Sequence, residues 1–133
     1  MLTHVPTGVK SEANERRSQH ENHRVALQRL RVNLALAVRG EWASEEREEA
    51  EVSERWRRRS GGGRIVVSPT HEDFAPLLAE ALDAIERHRF DVAAAAGWLG
   101  VSSSQLVKLL RVEPRALKQV NDRRSELGMK PLR

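Results

Sequence analysis

The chain has 133 residues, enough for one modest domain or two very small ones. Charged residues make up 32 % of the sequence and aromatic residues only 4 %, which is polar for a single compact globule. The chain contains no cysteine, so disulfide bonds, thiolate metal sites and cysteine nucleophiles are excluded.

The net charge of +4 conceals blocks of opposite sign along the chain. Residues 16–39 carry six arginines and one acidic residue, whereas residues 41–54 carry seven glutamates and one arginine. Residues 55–59, RWRRR, are strongly basic again. Such blocks create local fields that attract polyanions even when the total charge is modest, so nucleic acid is the leading class of partner. The RWRRR run itself fits a solvated linker and an RNA contact equally well.

The first 40 residues predict a β-hairpin followed by a long helix. The turn Pro6-Thr7-Gly8 separates LTHV from VKSEAN, two short segments with the character of strands. The helix is expected to start near Ser18, which forms a capping box with Glu21, and to stop at Gly40. One side of this helix is basic and the other is apolar, the apolar stripe consisting of Leu27, Leu30, Leu34 and Val38.

Residues 41–63 are predicted to form a charged linker. The segment has few apolar residues with which to anchor a core, and it ends in Gly61-Gly62-Gly63. The expected organisation is therefore a partial domain over residues 1–40, a linker over residues 41–63 and a helical domain over residues 64–133.

The C-terminal part predicts a short strand and then a bundle of four helices. RIVV, residues 64–67, is a short strand or an extended connector. Polar capping residues and helix-ending glycines then divide the sequence into helices. The expected boundary residues are Thr70 and Asp73, Asp91 and Gly100, Ser102 and Gln105, and Pro114 and Gly128. The fold class is α+β, with a hairpin and long helix preceding an all-α bundle.

The N-terminal strand-turn-strand-helix unit resembles class I peptide chain release factors and their ribosome-rescue relatives. The resemblance rests on His4, Pro6-Thr7-Gly8, Arg17-Ser18-Gln19, Asn22 and the spacing of Ala26, Leu27 and Leu30, and it covers residues 1 to about 39. In that family the unit is half of the domain that enters the peptidyl-transferase centre and promotes hydrolysis of the ester between peptide and tRNA. The resemblance implies contacts to ribosomal RNA from Arg16, Arg17, Gln19, Asn22, Arg24, Arg29 and Arg31.

The sequence departs from the family at the hydrolytic element. The family carries a Gly-Gly-Gln loop upstream of this hairpin, but this sequence starts within the first strand, and Gly61-Gly62-Gly63 is followed by Arg64. No catalytic residue is therefore assigned, and whether the protein is an enzyme stays open. Two interpretations remain: an incomplete chain, which the broken strand pairing favours, and a ribosome-binding relative without hydrolase chemistry.

A second motif lies at residues 91–111. Ala96, Gly100, Val101, Leu106 and Leu109 have the spacing of a helix-turn-helix, in which a small residue and a glycine let two helices cross closely. The segment is similar to the C-terminal motif of Fis-type DNA-binding regulators. Its second helix would present Ser103, Ser104, Gln105, Lys108 and Arg111 to nucleic acid, with RNA as plausible as DNA.

The leading hypothesis is a release-factor-like protein that acts in translation termination or ribosome rescue and binds the ribosome and its RNA, with peptidyl-tRNA as a further candidate partner. The alternatives are a DNA-binding regulator that uses the helix-turn-helix, and a gene remnant with neither role. No metal or cofactor is expected. The longest apolar runs are far shorter than the roughly 20 residues that span a bilayer, and the first ten residues do not resemble a signal peptide. A cytoplasmic location without membrane contact is therefore expected.

Overall fold

The computed structural model describes residues 2–4, 9–11, 19–38 and 51–133. Within these ranges the chain forms six helices and two separate two-stranded antiparallel sheets, so the expected α+β class is confirmed. The elements in chain order are β1 (Leu2–His4), β2 (Val9–Ser11), α1 (Gln19–Ala37), α2 (Glu54–Arg59), β3 (Ser60–Gly61), β4 (Arg64–Ile65), α3 (Phe74–Arg87), α4 (Val92–Leu99), α5 (Ser103–Val112) and α6 (Pro114–Glu126).

The N-terminal unit has the predicted order of strand, strand and helix. Strands β1 and β2 pair antiparallel, with Leu2 opposite Ser11 and His4 opposite Val9, and α1 packs against both strands. Helix α1 begins at Gln19, next to the predicted start. The Pro6-Thr7-Gly8 turn, the Ser18 cap and the Gly40 stop lie outside the described residues.

The apolar side of α1 differs from the predicted stripe. Val38, the last residue of that stripe, is 43 % exposed, whereas Val32, Ala35 and Leu36 enter the main core. A second buried stripe, containing Leu30, lies on another side of the helix. The predicted stripe does not mark the side of α1 that enters the main core. The reason is that α1 has more than one packing partner, and helical periodicity alone does not show which apolar residues face which partner.

Residues 51–63 are folded, which contradicts their assignment to a linker. Ser53 caps α2 by accepting a hydrogen bond from the Trp56 backbone N–H at 3.1 Å. The carboxylate of Glu80 accepts hydrogen bonds from the backbone N–H (2.8 Å) and the hydroxyl of Ser53. The Trp56 side chain is fully buried, and its indole N–H donates to the Leu99 carbonyl at 2.8 Å. One large aromatic residue therefore anchors a helix that is otherwise charged. Residues 41–50 of the expected linker lie outside the described residues.

The three consecutive glycines form a tight hairpin turn. Ser60 pairs with Ile65 and Gly61 with Arg64, leaving Gly62 and Gly63 as the two loop residues. Both loop residues have positive φ angles, 60° and 79°, as the favoured two-residue hairpin turn requires. The prediction of a flexible tract was wrong because two adjacent positive φ angles are a conformation that glycine adopts at little cost.

The C-terminal half contains the four predicted helices, and most of their predicted caps are confirmed. Asp91 accepts a hydrogen bond from the Ala94 N–H at 3.1 Å, and Ser102 accepts one from the Gln105 N–H at 3.1 Å. Helix α4 ends at Gly100, which has a left-handed φ of 74°. Helix α6 starts at Pro114 and ends before Gly128. Asp73 precedes α3 as expected, but its side chain makes no capping hydrogen bond.

A single hydrophobic core includes residues from α1, α2, β4 and all four C-terminal helices. Helix α3 is central to it, because α1, α4, α5 and α6 all pack against α3. The expected division into an N-terminal domain and a separate helical domain is therefore not seen, since both parts bury their apolar residues together. No helix in the described ranges combines the length and apolar character needed to cross a membrane.

Candidate nucleic-acid interfaces

Two exposed arginines of α1 lie on the same side of the helix. Arg24 and Arg31 are seven residues apart, which places them about 10 Å from each other along the helix axis and nearly in line. Both are exposed, and neither side chain makes a hydrogen bond or ion pair with the part of the chain that the structure describes. They line a groove of about 690 Å³ between α1 and residues 70–72. We call Arg24 and Arg31 the α1 surface.

Among the other predicted RNA-binding residues, Arg29 borders the same groove as the α1 surface. Arg29 is exposed and lies roughly 140° around the helix from Arg24. Asn22 is half-buried, and its amide oxygen is buried without a hydrogen-bond partner among the described residues. Arg16, Arg17 and the side chain of Gln19 lie outside the described residues. Arg24, Arg29 and Arg31 therefore all border one groove, although Arg29 leaves the helix in a different direction from the other two.

Side-chain hydrogen bonds fix α1 to the rest of the protein. The amide nitrogen of Gln28 donates to the carbonyl oxygens of Pro69 at 3.2 Å and His71 at 2.9 Å. The Arg115 guanidinium of α6 donates to the Asn33 amide oxygen at 2.9 Å. Together with the buried residues Val32 and Leu36, these bonds hold the α1 surface on a rigid support.

Asp73 forms ion pairs with two of the arginines of the RWRRR segment. Arg59 Nε donates to Asp73 Oδ2 at 3.0 Å, and Arg55 Nε lies 3.4 Å from Asp73 Oδ1. Partial burial acts to raise the pKa of Asp73, but the hydrogen bond and charge of Arg59 and the charges of His71 and Arg55 outweigh it. The pKa of Asp73 is therefore below its ordinary value. The ion pairs of these two arginines connect α2 to the start of α3, a role that was not predicted from the sequence.

Helix α5 presents a second exposed basic side. Ser104, Lys108 and Arg111 follow one another at spacings of four and three residues, so they share one face, and all three are exposed. Neither Lys108 nor Arg111 makes an ion pair with any described residue. We call these three residues the α5 surface. Of the other predicted contacts, Ser103 is exposed at the start of the helix and Gln105 is half-buried.

The α5 surface is supported by a buried opposite face and a short turn. Leu106, Leu109 and Leu110 are buried, and α5 packs against α3, α4 and α6. Residues 100–102 connect α4 to α5, with a left-handed glycine at one end and the Ser102 cap at the other. A groove of about 610 Å³ beside the α5 surface is lined by Ser103, Ser104 and Arg111 together with the start of α4 and the C-terminal segment.

Arg64, which was not predicted as a site residue, lies close to the start of α5. It is exposed, and its side chain makes no hydrogen bond or ion pair with the described part of the chain. Its hairpin contacts α5 through the Ser102 N–H, which donates to the Gly63 carbonyl at 2.9 Å. A pair of glycines between two short segments is the sequence signal for such a hairpin.

Comparison of the chain with protein-family models, curated proteins and solved structures gives no match. The chemistry of these exposed side chains nevertheless indicates a class of ligand. Guanidinium and ammonium groups that are exposed and lack an internal carboxylate are suited to neutralise phosphates, since each such contact releases a counterion from the nucleic acid. The α1 and α5 surfaces have no residue in common, so they define two candidate interfaces.

Proposed function

We propose that the protein is a release-factor-like factor that binds ribosomal RNA near the peptidyl-transferase centre, in translation termination or ribosome rescue. The proposal is carried by one observation: Arg24 and Arg31, within the segment that resembles release factors, lie on the same side of α1, and their side chains have no partner among the described residues. The supporting scaffold is the hairpin followed by a helix, the order of elements on which the resemblance depends.

The proposed role is binding and positioning. The two arginines would contact phosphates of ribosomal RNA, and Arg29, which borders the same groove, would add a further contact. The sequence contains no Gly-Gly-Gln motif, so no hydrolytic step is assigned to any of its residues. Peptidyl-tRNA is a further partner in this proposal, because it occupies the centre near which the protein would bind.

Co-sedimentation with ribosomes over a range of salt concentrations tests the proposal. The double variant Arg24→Gln/Arg31→Gln removes two phosphate contacts and should lower the slope of log K against log salt by about 1.4 to 1.8. At 0.1 M salt this corresponds to roughly 25- to 60-fold weaker binding. The matched control is Lys108→Gln/Arg111→Gln, which removes the same number of charges from α5. Both variants change exposed residues, so their circular dichroism spectra should equal that of the wild type.

The proposal fails if the wild-type protein does not sediment with ribosomes in low salt. It also fails if the α1 and α5 double variants weaken ribosome binding equally, because that result would indicate attraction by net charge alone.

A second candidate function is recognition of duplex DNA, and the α5 surface favours it. In this proposal α4 and α5 act as a helix-turn-helix, with Ser104, Lys108 and Arg111 facing the groove and the phosphates. The capped three-residue turn supports it, as do the cations of α5, which have no ion pair with any described residue. Fluorescence anisotropy with labelled DNA duplexes gives the test: Lys108→Gln/Arg111→Gln should abolish most of the affinity, whereas Arg24→Gln/Arg31→Gln should leave it nearly unchanged. Equal losses from the two variants would contradict this candidate.

A further inference from the structure

The outer face of the β3–β4 hairpin consists of Gly61 and Arg64. Residues directly opposite each other in an antiparallel pair point to the same face, so these two share one face while Ser60 and Ile65 share the other. Ile65 is buried, whereas Gly61 and Arg64 are both exposed. The hairpin thus fixes Ile65 to the core and directs Arg64 away from it.

The fold does not explain why residue 61 is glycine. Gly62 and Gly63 need positive φ angles for the turn, but the φ of Gly61 lies outside the left-handed range. A Cβ atom at Gly61 would meet nothing within 4 Å. Glycine in a strand is destabilising relative to alanine, so a residue with a side chain would be the more stable choice. Glycine at this position leaves the backbone beside Arg64 open to an object outside the chain.

The hairpin lies next to the N-terminus of the helix that carries the α5 surface. The Ser102 N–H bonds to the Gly63 carbonyl at 2.9 Å, and β4 packs against α5. Like Lys108 and Arg111, Arg64 has no ion pair with any described residue. Within the described part of the chain, a ligand bound along α5 would therefore meet a strand without a side chain at Gly61 and a guanidinium without an ion pair, close to the start of that helix.

We infer that the β3–β4 hairpin is a wing that contacts the sugar-phosphate backbone of a duplex nucleic acid while α5 occupies its groove. Gly61 permits close approach of the backbone, and Arg64 neutralises a phosphate there. This inference rests on the second candidate function, nucleic-acid binding by α5, and it adds a separate contact. Because both duplex DNA and duplex RNA offer phosphodiesters, the ligand class is a duplex, and the assay compares the two.

Fluorescence anisotropy with a labelled 20-base-pair DNA duplex and an RNA duplex of the same sequence tests the inference in full-length protein. Arg64→Gln should lower the salt slope by about 0.9 and weaken binding roughly 8-fold at 0.1 M salt. Gly61→Thr, which adds bulk without charge, should weaken binding at every salt concentration yet leave the thermal midpoint unchanged or slightly raised. Lys118→Gln on α6 is the matched control for loss of one positive charge and should bind like the wild type.

The outcomes separate this inference from the function on which it rests. If the wild type binds a duplex and the α5 double variant loses binding, but Arg64→Gln and Gly61→Thr bind normally, the wing is refuted and the α5 interface stands. If the wild type binds neither duplex, both are refuted. Loss of binding in Arg64→Gln and Gly61→Thr, with Lys118→Gln unaffected, supports the wing, and the duplex that shows this pattern identifies the type of nucleic acid.

Discussion

Replacement of Trp56 by alanine tests whether the segment around α2 is part of the fold. The side chain is fully buried, and the indole N–H donates to the carbonyl of Leu99, 43 residues away, at 2.8 Å. Trp→Ala changes in cores typically cost about 3–5 kcal/mol. Trp56→Phe keeps most of the apolar contact but leaves the Leu99 carbonyl without this donor, which should cost about 1–3 kcal/mol. Since domains of this size are stable by about 5–15 kcal/mol, the alanine variant should lose a large part of its stability.

Urea unfolding followed by circular dichroism at 222 nm measures both losses. With a slope of about 2 kcal/mol per molar urea, a loss of 4 kcal/mol lowers the midpoint by about 2 M. Trp98 is half-buried and is the matched control, because Trp98→Ala removes a side chain of the same size from the periphery of the core. A Trp56→Ala midpoint equal to that of the wild type would refute the packing of α2 and restore the linker interpretation. A Trp56→Phe midpoint equal to the wild type would refute the importance of the indole hydrogen bond.

Two further predictions concern a pair of glycines and one carboxylate. Gly100→Ala should destabilise the protein by about 1–2 kcal/mol, because Gly100 has a left-handed φ of 74°. The control Gly97→Ala should instead raise stability by up to about 1 kcal/mol, since Gly97 lies within α4 and has open space around its Cβ position. A shift of the thermal midpoint in the same direction for both variants would contradict this account. Asp73 has a lowered pKa in the folded protein, so its ion pairs stabilise the fold above the pKa of the unfolded chain and are lost as pH falls through the lower folded value. Asp73→Asn should therefore lower the thermal midpoint at neutral pH, with the difference from the wild type closing only below about pH 4; a constant difference down to acid pH would assign the loss to something other than the charge.

The features that were predicted from sequence depend on neighbouring residues. The caps at Asp91 and Ser102 and the start of α6 at Pro114 each involve residues within four positions of one another, so the sequence carries the whole signal. The strand order of the N-terminal hairpin was predicted for the same reason. Local signals also placed the exposed residues of α5, because a buried leucine face leaves only one side of a short helix for polar residues.

The features that were missed depend on residues far apart in the sequence. Trp56 lies within a charged segment, and only its contact with Leu99 shows that it belongs to the core. Asp73 has the right position for a helix cap, but the arginines of α2 engage its carboxylate instead. The same limit applies to the candidate sites: helical geometry spreads Arg24, Arg29 and Arg31 around α1, and only the fold shows that all three border one groove beside residues 70–72.

One hydrophobic core supports both candidate interfaces. Helices α1 and α5 both pack against α3, so their relative position is fixed by the same buried residues. The quadruple variant combines Arg24→Gln/Arg31→Gln with Lys108→Gln/Arg111→Gln. If one ribosome contacted both surfaces, the fold-loss in affinity of this variant would equal the product of the fold-losses of the two double variants, because the charged residues involved share no contacts. If only α1 contacts the ribosome, the quadruple variant should sediment like Arg24→Gln/Arg31→Gln. A multiplied loss to which the two double variants contribute unequally would support one RNA interface that includes the helix-turn-helix candidate, whereas equal contributions would indicate attraction by net charge alone.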